Sequence, residues 1–460
     1  MPSKTLVIAL ILCLTSQFSF GQKPDQLTDT EKLYGLSKFW QEVNYNFVYL
    51  YKIDKAEWDQ QYREAISQVL ETKNDYEYYK VLQRLSAYLK DGHTNVWFPK
   101  SIRDKVSSTD FGDYKIVLQS IENKAIIVQI NDDKKKDVPP GSEIIKINGL
   151  STQEYIDKMV KPFISTSSPH VLLDLSVQYL LEAYEGTEYD IEVRTPKGKV
   201  KEIHLIAGAS GEVKMYPEQE EAQLLEFKWQ QKGVAYLAFN SFSDWKIMDL
   251  FAEIKPELHK AEKLIIDLRN NVGGNDAVAR ELIKYLTNDT LLYRAKSQTR
   301  QHIPAYKAWG RKVSVQDTSR QPFLKEYYLA NHDLLFYPLS SEAYNTSNLN
   351  IDRIEIPTAI LIGHLTASAA EDFLVYADNQ EHMVTFGVPS FGSTGLPMNF
   401  ELPGGGVARV CVKKDAYPDG REFVGIGIQP DVIVETSLSD FLSHKDPVLA
   451  KALEYLENLK

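Results

Sequence analysis

The chain has 460 residues, 43% hydrophobic and 25% charged, with a formal net charge of −11. That length supports two or three domains, each with its own core. The acidic balance leaves no basic surplus to neutralise phosphates and argues against nucleic acid as a partner.

Residues 1–21, MPSKTLVIALILCLTSQFSFG, read as a signal peptide: a lysine, an apolar run from Leu6 to Leu14, and the small residues Ser19 and Gly21 before Gln22. The run is too short to span a bilayer, and no later stretch reaches about 18 apolar residues. The expectation is an exported bacterial protein, periplasmic or secreted, without stable membrane insertion. Loss of the signal leaves Cys411 alone, so no internal disulfide can form.

Residues 22–105 read as a helical subdomain. Helical periodicity runs through 28–90 with tyrosine and tryptophan interleaved, and no glycine or proline interrupts it between Leu36 and Lys90. It ends at KDGHTNVWF (90–98), where Asp-Gly makes a turn. From 106 to 208 the period becomes two: DYKIVLQSIENKAIIVQIN reads as paired strands, DDKKKD (132–137) as a solvated hairpin tip, and VPPGSEIIKINGLS (138–151) as turn, strand and Asn-Gly turn. A helical stretch is expected over 152–185, then a hairpin across Pro196-Lys197-Gly198. Residues 209–440 alternate strands with helices and predict an α/β core, interrupted by an aromatic, irregular insertion at 290–355. Residues 441–460 read as a C-terminal helix.

Three turns could carry chemistry. TASAAE (366–371) lies between a buried strand (IPTAILIG) and a helix. Ser368 there is either an N-cap in a capping box with Glu371 or a nucleophile exposed on a sharp strand-to-helix turn. DLRNNVGG (267–274) has no dinucleotide or P-loop spacing. It is either a tight packing turn or a concavity of backbone N–H groups that accepts an anion. DGHT (91–94) offers His93 at a domain edge. A serine nucleophile needs such a base, and His364, though near in sequence, lies before the turn and is expected to point elsewhere. No metal-ligand spacing occurs.

In this order the three turns, with VPPGSEIIKINGLS and the closing GIGIQPDV (425–432), resemble the C-terminal processing (tail-specific) serine peptidases and their tricorn-like relatives. The resemblance spans about 90–435. It implies a crotonase-like α/β core, an inserted PDZ-like domain at 106–208, and a tail-specific protease core at 209–440. It also implies Ser368 as nucleophile, His93 as general base, and an oxyanion hole from the N–H groups of Ala369 and of Gly273 or Gly274. The substrate would be a peptide or protein bound in extended form; no cofactor is implied. Two departures matter. SFGSTG (390–395) puts Ser393 where one branch of the family has a dyad lysine, which leaves the tricorn-like branch with its histidine base. In that branch a serine precedes the histidine and a glutamate supports it; here Gly92 and Val424 stand at those positions. Glu422, two residues away, and Ser393 are the candidate supporting residues, Ser393 as a minor polar contact or turn residue. The alternative is a catalytically inactive peptide- or ligand-binding relative of the same fold.

Overall fold

The computed structural model describes residues 26–218, 221–340 and 343–459; the expected signal segment lies outside them. Helices α1 (Asp29–Asn46), α2 (Lys55–Glu71) and α3 (Asp75–Tyr88) open the chain. Their starts are set by Thr28, Asp54 and Asn74, whose side chains accept first-turn N–H groups. Their apolar faces, including Phe39, Trp58, Tyr78 and Leu82, are buried together with Leu402, Ala408 and Val410 from far along the chain. The backbone makes the same link: β1 (Asn95–Trp97) pairs antiparallel with the strand Val407–Cys411. The turn between α3 and β1, which carries His93, is therefore held against the α/β core.

The middle segment forms an antiparallel sheet from β2 (Tyr114–Ile121), β3 (Lys124–Asn131), β4 (Ser142–Ile147), β5 (Glu188–Arg194) and β6 (Val200–Ile206), in the order β6-β5-β4-β3-β2. Its Asn-Gly turn is formed as expected, with φ of 49° and 80° at Asn148 and Gly149. The continuous helix expected over 152–185 is broken. Short turns occupy Thr152–Phe163, and α4 spans only Pro169–Gln178, because Pro162 and Pro169 cannot donate to a helical ladder.

The core is α/β. Its six-stranded sheet comprises β7 (Leu225–Gln231), β8 (Val234–Phe239), β9 (Lys263–Asp267), β10 (Thr358–Ile362), β11 (Met383–Gly387) and β12 (Val432–Ile433) in that order, parallel except for β7 against β8. Nearly unbroken apolar runs such as TAILI suit a sheet covered on both faces. Leu237, Phe239, Ile266 and Ile360 face α5 (Lys246–Leu258), α6 (Asp276–Ile283) and α7 (Ala369–Ala377). The alternate residues Tyr236, Ile265, Ala359 and Leu361 face α8 (Pro447–Asn458).

Two expectations are corrected here. Segment 290–355 is not irregular. It contains the strand Lys296–Arg300, paired with Phe336–Ser340 and Lys414–Ala416, and three short helices. Its aromatic residues pack on one another, with Tyr306, Trp309 and Phe323 gathered around Tyr327. The C-terminal helix does not run from 441: the chain turns at His444 (φ 51°), and α8 restarts at Pro447 behind the Asp446 cap. No helix among the described residues is long and apolar enough to cross a membrane.

Candidate active site

The loops after β9, β10 and β11 meet at the carboxyl ends of the parallel strands, where open α/β sheets hold their ligands. The first loop is fixed from within. Arg269 bonds Asp267 and reaches both oxygens of Asp446 at 2.9 Å. Asn271, fully buried, donates to the Phe239 carbonyl (2.9 Å) and accepts the Gly273 N–H (2.9 Å), while its own carbonyl accepts the Ala367 N–H (3.0 Å). Gly273 has φ +99°, and a Cβ there would lie 2.6 Å from the Ser368 Cβ. Only glycine allows this approach.

The second loop is the nucleophile-type turn. Thr366 pins it, donating to the Leu268 carbonyl (2.8 Å) and accepting the Gly363 N–H (3.0 Å). Ser368 sits at φ 54°, ψ −120°, a strained conformation for a residue with a Cβ, of the kind that clusters at active sites. With Glu371 it forms the capping-box arrangement expected from the sequence, so the same residue starts the helix and stands at the mouth of the cleft. Its N–H donates to the Ser393 carbonyl (3.1 Å) and to Glu371 Oε2 (3.2 Å). The Glu371 carboxylate, with no exposed surface, also accepts from Ser390 Oγ (2.5 Å), Gly392 N–H (2.7 Å) and Ser393 N–H (3.0 Å). Burial raises its pKa to about 7 against the opposing pull of those donors.

His93, Ser368, Ala369, Gly274 and Ser393 line one cleft of about 640 Å³, together with Asp372, Arg409 and Lys413. His93 is 8% exposed. Its Nδ1 is 2.7 Å from Ser393 Oγ, and Nε2 has no hydrogen-bond partner among the described residues. Burial first, then the charges of Arg409 and Lys413, lowers the imidazole pKa to about 3, so the ring is neutral. A neutral ring can accept a proton from a serine hydroxyl. The Ala369 and Gly274 N–H groups form no backbone hydrogen bond among the described residues, and both residues line the cleft.

The structure departs from three sequence expectations. The Gly273 N–H is occupied by Asn271, so it is not an oxyanion donor; its lack of a side chain is what the turn uses. Glu422 is not beside His93. Phe423 is buried, which turns Glu422 outward into a separate cavity with Tyr49, Lys52 and Lys414. Ser393 is more than a turn residue, because it is the partner of the His93 ring. His364 points away as expected, bonding Asp174 of α4 (2.5 Å) beside the His170 ring. The role of Glu371 beyond its local helix turn was missed: its spacing from Ser368 signalled a cap, while its other partners lie about twenty residues away.

A strained serine, unpaired N–H groups and a neutral imidazole in one cleft are the parts of a nucleophilic hydrolase site. Residues 233–434 match the model of Peptidase family S41. The core thus carries the family S41 match, and the resemblance to C-terminal processing serine peptidases holds. The chain is 23% identical over 449 residues to a probable CtpA-like serine protease of Staphylococcus aureus, covering 94% of this chain and 71% of that protein. It is 24% identical over 222 residues to the carboxyl-terminal-processing protease of Synechocystis, covering 47% of this chain and 41% of that one. Among solved structures, mature CPAF superposes with a TM-score of 0.66 at 16% identity, covering 94% of this chain and 96% of that one. A Parabacteroides merdae structure described as a putative peptidase gives 0.51 at 16% identity, covering 94% and 97%.

Proposed function

We propose that the protein is an exported serine endopeptidase of the tricorn-like kind, without a dyad lysine, built on a crotonase-like core with a PDZ-like module. Ser368 attacks the scissile carbonyl and His93 Nε2 takes its proton. Ser393 Oγ accepts the Nδ1–H and so keeps Nε2 unprotonated. The Ala369 and Gly274 N–H groups hold the oxyanion, each such donor being worth about 3 kcal/mol in the transition state. The substrate is a peptide or unfolded protein bound in extended form. The observation that carries this reading is the shared cleft, lined both by His93, whose Nε2 has no partner among the described residues, and by Ser368 on its strained turn.

Hydrolysis of an unfolded protein such as casein tests it. Ser368→Ala should abolish turnover, and His93→Ala should lower it by about 10²–10⁴-fold. His364→Ala should leave most of it. One feature favours a second reading, a binding relative without turnover: among the described residues no carboxylate hydrogen-bonds the His93 ring. Binding of casein without cleavage by the wild-type chain would establish that reading instead.

A further inference from the structure

Glu371 carries a buried carboxylate that meets four donors and no cationic partner among the described residues. Taking a carboxylate out of water without a counter-charge is costly, and a turn that served only the fold could be closed by neutral groups. An ionised carboxylate, however, is the one side chain that accepts four donors and presents no hydrogen of its own. The four come from two separate pieces of chain. One is the N–H of Ser368 itself; the others belong to the turn 390–393. Ser390 Oγ, which accepts the Ile428 N–H at 2.7 Å, is thereby left to donate its own hydrogen to Glu371. The carboxylate therefore sets how far Ser393 stands from Ser368, and Ser393 Oγ in turn holds His93 Nδ1 at 2.7 Å.

We infer that Glu371 is a positioning residue of the reaction: acting through Ser393, it fixes the tautomer and orientation of His93 relative to Ser368. This rests on the proposed roles of Ser368 and His93. It places the carboxylate that supports the histidine three residues after the nucleophile, one hydroxyl removed from the ring, instead of in the segment 422–424.

The test measures the rate at which a fluorophosphonate probe labels Ser368 in wild type, Glu371→Gln, Ser393→Ala and the double variant, together with the ¹⁵N shifts of His93, which report its tautomer. In Glu371→Gln the amide NH₂ faces two donors, so the 390–393 turn shifts. Labelling should fall roughly 10- to 100-fold, the usual consequence of an ångström-scale misplacement, and His93 should show mixed tautomers. In the Ser393→Ala background the same change should add little, since both variants break one chain of contacts. A folded Glu371→Gln protein with wild-type labelling and tautomer would overturn the inference, as would additive losses. If that variant does not fold, Ser390→Ala, which removes one of the four donors, should give a smaller loss with the same coupling; a wild-type rate there refutes the inference equally. An unlabelled wild-type chain whose His93 still changes tautomer on Glu371→Gln would sink the peptidase reading and leave the positioning role standing.

Discussion

Gly92 and Ser393 compete for one space, and this gives a quantitative prediction. A Cβ on Gly92 would lie 2.7 Å from Ser393 Oγ, 3.0 Å from Phe391 Cε1 and 3.1 Å from Ser393 Cβ. To regain the 3.4 Å of ordinary contact, Ser393 Oγ must retreat by about 0.7 Å. That displacement breaks its 2.7 Å contact with His93 Nδ1. Gly92→Ser should therefore lose the hydrogen bond, about 0.5–1.5 kcal/mol, and incur about 1–3 kcal/mol of overpacking. Peptidase activity should drop about 10²-fold through the misplaced imidazole. Ser393→Gly should produce a comparable loss by removing the hydroxyl. Combining them removes the contacts at 2.7 and 3.1 Å and returns a hydroxyl from position 92 to the same space, so the double variant should recover much of the activity. The assay is casein hydrolysis by all four proteins, with thermal unfolding as a control. Additive losses, with the double variant worse than either single one, would refute the idea that the two positions share one hydroxyl site.

Gly273→Ala should lower stability by about 2–5 kcal/mol in urea unfolding, summing left-handed backbone strain and a 2.6 Å approach to Ser368 Cβ. Wild-type stability would contradict the packing around the turn. Arg269→Ala leaves the buried Asp267 without its ion-pair partner and should cost about 3–5 kcal/mol. Asp446→Ala breaks the more exposed arm and removes the α8 cap, about 1 kcal/mol each, and should cost about 2 kcal/mol; equal costs would contradict this ranking. His93, with its folded pKa lowered to about 3, binds its proton more weakly than in the unfolded chain. The unfolded state therefore takes up the proton as pH falls through about 6.5, and the folded state loses relative stability from there down to about pH 3. At pH 5 the penalty is about 2 kcal/mol, so His93→Asn should gain that much relative to wild type between pH 7.5 and pH 5. A pH-independent difference would mean the ring is not held neutral by its surroundings.

What was legible in the sequence was mostly local turn chemistry. The double glycine after a buried strand, the serine before a small-residue helix start, and the Asp-Gly before His93 each announced a tight turn, and the structure brings all three to the same end of the sheet. The contacts that join these turns were not legible, because they span large separations. His93 and Ser393 are 300 residues apart, and the hydroxyl sought beside the histidine is supplied across space. Glu371 shows the same limit, since its spacing from Ser368 says nothing of Gly392 or Ser393. Glu422 misled because the segment before the 424–426 turn buries Phe423 and leaves Glu422, with Val424, lining a cavity apart from His93. In 290–355 the helix starts rest on short caps such as Ser314 with Asp317, and on aromatic contacts that carry no clear period.

The most direct test of the central claim is the intact and peptide-level mass of the protein after reaction with a fluorophosphonate. One adduct per chain is expected, located on the peptide containing Ser368 and absent from Ser368→Ala. No adduct on the folded wild-type protein, or one that persists at another residue when Ser368 is replaced, would contradict it.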